Sequence, residues 1–170
     1  MDGSAIRNLV RDRFPDACVS DHAAFGNDTV VVERHALHDI LAFLKADPKL
    51  CFNLFVDLCG VDHLPAEPRF EVVYHLKSIK HGHRLRVKST VPEDDALVAS
   101  VTDLWPAADW YERECFDMFG IRFSGHPNLR RILTHQDFEG HPLRKDYPIN
   151  RRQDLHLPVE DILTPKPFNG

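Results

Sequence analysis

Apolar residues at Ile6, Leu9, Val10 and Phe14 recur at helical spacing behind Ser4, a residue suited to an N-cap, and Pro15 closes the run. This predicts a first helix. Two β-prone segments, Cys18 to Phe25 and Thr29 to Glu33, flank Gly26-Asn27-Asp28, whose residues tolerate the positive φ of a tight turn. They read as a hairpin. Leu37, Ile40, Leu41 and Leu44 mark an amphipathic second helix that should stop near Asp47-Pro48, because proline disfavours the helical conformation of its predecessor. Phe52 to Val61 reads as a buried strand. Alternation returns in Phe70, Val72, Tyr74 and Leu76, and again in Leu85, Val87 and Val91, around a Lys80-His81-Gly82-His83 turn. A second hairpin follows. A third helical region is expected after Pro92, broken at Trp105-Pro106 and resuming from Asp109 through Phe119. Asp109 and Glu112 resemble a capping box, and Gly120 suits the C-terminal cap, where a left-handed residue is needed.

The order α-β-β-α-β-β-β followed by helices implies an α+β class, a two-layer domain with a mixed sheet and helices over one face. From Arg122 the periodicity disappears, and six of the twelve prolines follow, at 127, 142, 148, 158, 165 and 167. The chain therefore divides into an α+β core domain, residues 1–121, and an extended, Pro-rich, basic C-terminal arm, residues 122–170. An arm without strong local signals suggests docking on something larger.

Composition narrows the function classes. With 43% hydrophobic and 28% charged residues over 170 positions, the chain reads as one globular domain and not as a disordered one. No run approaches the ~18 apolar residues of a membrane span, the densest being Leu54 to Val61, interrupted by Asp57. The opening, Met1 to Phe14, mixes Asp2, Arg7, Arg11 and Arg13 with its apolar residues and lacks the secretory pattern, so an intracellular protein is expected. Cys18, Cys51, Cys59 and Cys115 form no C-x-x-C pair, which argues against a disulfide framework or an iron-sulfur cluster; reduced, mostly buried thiols are expected. The net charge is −5, yet residues 122–152 carry seven Arg and Lys against three acids, a local +4 that leaves −9 elsewhere. Such asymmetry often marks a partner-binding region, although a solvated tail with scattered salt bridges would read the same way.

One segment is far more specific. Glu112-Arg113-Glu114-Cys115-Phe116-Asp117-Met118-Phe119-Gly120-Ile121 leads through His126-Pro127-Asn128-Leu129-Arg130-Arg131-Ile132-Leu133 to Gly140-His141-Pro142-Leu143-Arg144-Lys145-Asp146-Tyr147-Pro148. This resembles the signature of the 30-kDa subunit family of respiratory complex I, with its E-R-E, D-x-F-G-I, G-H-P, R-R-I-L and G-x-P-L-R-K-D-Y-P elements in order. Phe138 stands where that family often has tryptophan, and Thr134-His135-Gln136 departs from it too.

The resemblance implies a non-catalytic subunit of the hydrophilic arm of a proton-translocating NADH:quinone (ubiquinone) oxidoreductase, packed beside a 49-kDa-type subunit that helps form the quinone site. It implies a peripheral position on the cytoplasmic face of a bacterial inner membrane. It implies no cofactor or metal in this chain, with flavin and iron-sulfur clusters in neighbouring subunits, and no activity for the isolated chain. Consistently, no GxGxxG turn, P-loop or cluster motif is present.

The matching positions, Glu112, Arg113, Glu114, Asp117, Gly120, His126, Pro127, Arg130, Arg131, Gly140, Pro142, Arg144, Lys145 and Asp146, are candidate interface residues. Glu114 and Asp117 share a helix face with Glu112 beside them, a set that could serve acid-base chemistry; ion pairing with Arg130, Arg131 or Arg144 is the simpler role. Of the eleven histidines, the pair His81 and His83 and the set His126, His135 and His141 lack zinc-site spacing. Cys115 has no activating His at recognisable spacing. Two other classes compete: a nucleic-acid module using Arg130, Arg131, Arg144, Lys145, Arg151 and Arg152 with Phe138 and Tyr147, and a related subunit of a membrane-bound hydrogenase-type complex. A pI near 6.1 weighs against the former.

Overall fold

A computed structural model describes residues 1–153. Helix α1 (Gly3–Arg13) is capped by Asp2, whose carboxylate accepts the Ala5 amide at 2.8 Å; Ser4, expected as the cap, lies inside the helix and donates its hydroxyl to Asp2. A carboxylate also suits the positive end of the helix dipole better than a hydroxyl. Strands β1 (Cys18–Ala24) and β2 (Asn27–Val32) form the expected hairpin, but its turn is Phe25-Gly26, at φ 52° and 75°, and Asn27 already pairs with Ala24. Two positive-φ residues twist the connection in the same sense as the strands, which fixes the shorter turn.

A 3₁₀ turn (Arg34–Ala36) leads into α2 (Leu37–Ala46), which buries Leu37, Ile40, Leu41 and Leu44 and ends at Asp47, as the proline at 48 requires. Strand β3 (Leu54–Asp62) begins two residues later than expected: Phe52 is fully buried but precedes it. Strands β4 (Phe70–Lys77) and β5 (Arg84–Val91) match the second predicted hairpin.

The mixed sheet runs β1-β2-β5-β4-β3, with β2 and β5 parallel and the other neighbours antiparallel. On one face Val30, Leu58, Val72, Tyr74, Leu76 and Val87 pack with Ile6, Val10, Ile40 and Leu44 of the helices. Each such fully buried side chain contributes about 1.5–3 kcal/mol. The opposite face carries Asp57, Cys59, Glu71, Val73, His75, Arg86 and Lys88 in register across β3, β4 and β5.

The helix expected after Pro92 does not form. Residues 92–107 hold turns and a short strand, β6 (Leu97–Ala99), paired in parallel with β7 (Arg122–Ser124), the first residues after the loss of periodicity. Val98, Val101 and Trp105 seat this segment in the core, so tertiary pairing overrides a weak helical pattern. Helix α3 (Ala108–Phe119) ends on Gly120 at φ 78°, the left-handed cap foreseen. Its capping box is absent, because Asp109 lies inside the helix and Glu112 points inward. Of the four cysteines only Cys115 is buried; strand alternation turns Cys59 to the open face, and Cys18 and Cys51 are partly exposed. Among the described residues no helix is long and apolar enough to cross a membrane. Pro158, Pro165 and Pro167 of the expected arm lie outside the described residues.

Candidate docking site: an arm held by buried charge

Residues 125–153 contain no helix or strand, yet they follow a definite path over the C-terminal end of α3 and the β3–β4 loop. Backbone that makes no ladder must find its partners in side chains. Asp117 is the first of these. Fully buried on the last turn of α3, it accepts the consecutive amides of Ile132, Leu133 and Thr134 on one oxygen, at 3.0, 2.8 and 2.9 Å. Its other oxygen takes the Arg131 guanidinium at 2.7 Å and the Thr134 hydroxyl at 2.5 Å. Burial alone would raise the carboxyl pKa, but the Thr134 hydroxyl and amide and the Arg131 guanidinium outweigh it and hold the group well below the usual carboxylate range.

The second anchor is Arg69, at the start of β4 and 2% exposed. Its guanidinium grips Asp62 in a bidentate pair (3.1 and 2.9 Å) and Asp146 of the arm in another (3.0 and 2.7 Å), and donates to Glu93 at 2.6 Å. Asp62 also accepts the amides of Leu64 and Lys145, so one carboxylate ties β3, the loop and the arm together. The Arg69 side chain, with those amides, keeps the Asp62 carboxyl far below its ordinary pKa. Phe70 carries the guanidinium groups of Arg69 and Arg144 at 4.9 and 5.0 Å from its ring centre, a cation-π arrangement that shields the cluster.

The remaining signature residues act mostly through backbone. Arg144 donates from Nε to the Phe119 carbonyl at 2.6 Å, and its guanidinium sits 3.6 Å from Glu93. Arg113 donates to the carbonyls of Arg130 and Arg131. His126 accepts the Asn128 amide on Nδ1 and so donates from Nε2 to the Asp109 carbonyl, while His141 donates from Nδ1 to the Asp117 carbonyl. Gly120 admits the arm: a Cβ there would lie 2.6 Å from both Arg144 Nη2 and His141 Nε2. Gly140 takes φ 84° against the Tyr147 ring, and Pro142 is half-buried nearby. Lys145 reaches the Leu64 carbonyl at 3.3 Å.

The three candidate carboxylates do not act together. Asp117 pairs with Arg131; Glu114 is exposed with no ion pair among the described residues; Glu112 is fully buried and meets no arginine. Instead Glu112 accepts the Val101 amide at 2.7 Å, joining α3 to the segment after β6, and burial pushes its pKa up to about 7. The side chains of Arg130 and Pro127 are exposed. Sequence reasoning missed Arg69, Asp62 and Glu93. The available signal was an arginine directly ahead of a strand whose Phe70, Val72, Tyr74 and Leu76 alternate inward, a position where a buried charge must be paired.

Of the histidines considered for metal, His81, His83, His126 and His141 bind backbone, the first two through the carbonyls of Pro48 and Leu50, whereas His135 has no hydrogen-bond partner among the described residues and packs edge-on against Phe138. Cys115 is buried, and burial drives its thiol pKa far up, opposite to a reactive thiolate. Among the described residues one set of unlike ligands converges, Asp57, Cys59 and His75 on the open sheet face.

Comparisons with known proteins agree with this architecture. The family model described as "Respiratory-chain NADH dehydrogenase, 30 Kd subunit" matches residues 30–153. The C-type subunit of NADH-quinone oxidoreductase from Hyphomonas neptunium is 49% identical over 158 residues, 91% of this chain and 78% of that one. Its namesake from a Roseiflexus species is 45% identical over 169 residues, 99% of this chain and 97% of that one. Among solved structures, a trypsin-resistant fragment (1–134) of Nqo5 superposes with TM-score 0.63 at 38% identity, covering 74% of this chain and 98% of the fragment. A chain of an archaeal membrane-bound sulfane sulfur reductase reaches TM-score 0.72 at 28% identity, covering 87% of this chain and 86% of that one.

Proposed function

Because the chain belongs to the family of the 30-kDa subunit of respiratory-chain NADH dehydrogenase, we propose that it is a non-catalytic subunit in the hydrophilic arm of a proton-translocating NADH:quinone oxidoreductase. In this reading it packs beside a 49-kDa-type subunit, at the cytoplasmic face of the inner membrane, and supports electron transfer from NADH to quinone without carrying electrons. Flavin and iron-sulfur clusters belong to its neighbours.

The observation that carries this reading is how the signature charges are spent. Asp117, Arg131, Arg144, Asp146 and the unforeseen Arg69 and Asp62 bind the backbone of the arm or of α3, or one another, so the family motif builds a fixed surface. General acid-base chemistry would require a carboxylate with a raised pKa facing a cleft; Asp117 is lowered and enclosed, and Glu112 is sealed in the core. The same fixed arm argues against the nucleic-acid module, since Arg131 and Arg144 are committed internally.

Purification of the tagged chain from its native membrane tests the reading. It should bring with it a 49-kDa-type subunit and NADH:quinone reductase activity, while the chain purified alone should contain neither flavin nor iron. Recovery with a hydrogenase or sulfur reductase would redirect it to a sister complex, for which the likeness to the sulfane sulfur reductase chain gives a specific reason.

A further inference from the structure

The open face of the sheet holds a group of side chains that the arm does not use. Asp57, Cys59 and His75 place a carboxylate oxygen, a thiol sulfur and an imidazole nitrogen within 4.8 Å of one another. Their convergence is built by the strands. Asp57 lies directly across from His75, and Cys59 is one rung along the same face, across from Val73. Strict alternation would send Asp57 to the core side, because Phe55, two residues earlier, is buried there against Tyr74 and Trp105. An irregularity in the β3–β4 register between Phe55 and Asp57 absorbs one residue, Val56, and turns Asp57 outward. Bulges re-aim side chains in just this way beside functional sites.

We propose that Asp57, Cys59 and His75 form a binding site for one divalent transition-metal ion of the zinc type. The donor set of thiolate, imidazole and carboxylate selects zinc-like ions over the hard, oxygen-seeking magnesium and calcium. Three protein ligands leave a fourth position for water or an external ligand, as in exchangeable zinc sites. His75 also lines a groove of about 290 Å³ with Leu54, Val56 and Arg86, which gives that position access.

Charge favours the occupied state in this half-buried setting. A dication with one thiolate, one carboxylate and a neutral imidazole sums to zero. Of the three cations on the neighbouring strand, Arg84, Arg86 and Lys88, the last is neutralised by Glu71 at 2.9 Å.

Titration of the purified full chain with Co²⁺, a spectroscopic stand-in for Zn²⁺, tests the proposal. One equivalent should bind with a thiolate-to-cobalt charge-transfer band. Cys59→Ser should abolish the band, and His75→Ala should weaken binding by about tenfold or more, since even outer-shell partners of metal ligands are worth that much. Cys18→Ser and Cys51→Ser should leave it unchanged. In the unaltered chain, Zn²⁺ should slow alkylation of Cys59 by N-ethylmaleimide, a readout that does not depend on any variant folding. A chain without the band, a band that survives Cys59→Ser, or a Cys59 that zinc fails to protect would each overturn the site.

Discussion

At Arg69 three carboxylates of unequal exposure share one guanidinium, and their exposure decides what each is worth. Asp62 is as buried as Arg69, whereas Asp146 and Glu93 are about half exposed. Arg69→Met strands the Asp62 charge in the interior and should lower the unfolding free energy by about 3–5 kcal/mol. Asp146→Asn, at a screened position, should cost about 1 kcal/mol or less. Urea unfolding of the two variants distinguishes them, and equal losses would contradict the assignment of Asp62 as the buried partner. Glu112 makes a second, oppositely signed prediction. Its folded pKa lies near 7, above the ordinary value of 4.5, so between those pH values the folded state holds the extra proton and stability falls as pH rises. The total is on the order of 3 kcal/mol, and Glu112→Gln should flatten that slope when stability is measured from pH 4.5 to 8. For Asp62 and Asp117 the shift is downward; their contribution is present above the ordinary carboxylate range and is lost as pH falls through and below it.

Among elements, the junction of α3 with the arm depends on Gly120. A side chain there faces both a left-handed backbone and the Arg144 and His141 side chains at 2.6 Å. Gly120→Ala should therefore destabilise by about 1–2 kcal/mol from backbone conformation alone, and more through the displaced arm, as read by thermal unfolding. An unchanged melting temperature would contradict the close approach. The elements legible in the sequence were those with long, clean periodicity: α2, the β4–β5 hairpin, and the end of α3 at its glycine. What failed had short signals. The stretch after Pro92 offers few residues of either period, and its pairing partner Arg122–Ser124 lies more than twenty residues away, beyond a helix, where no local pattern could announce it. The caps failed for a related reason: Ser4 and Asp2 are both good N-caps, and a glutamate three residues after an aspartate looks the same whether it turns back to the helix end or inward to Val101.

For the whole molecule, the signature motif was readable as a string but its geometry was not. Charges on α3 and the arm suggested ion pairs; the structure spends most of them on backbone groups, and the strongest cluster rests on Arg69 and Asp62, which lie outside the motif. Trypsin should act accordingly, cutting first at the exposed Arg151 and Arg152 and sparing Arg131 and Arg144, with Arg69→Met opening those inner sites. First cleavage inside the β4–β5 hairpin would contradict the order. The role of the arm as a docking surface is tested most directly by NADH:quinone reductase turnover per assembled complex in cells carrying Arg144→Glu. The reversal removes the hold on the Phe119 carbonyl and sets a carboxylate against Glu93. Less complex should assemble, and each assembled complex should turn over at close to the unaltered rate. Normal assembly with lost turnover would contradict a structural role and return the signature charges to chemistry.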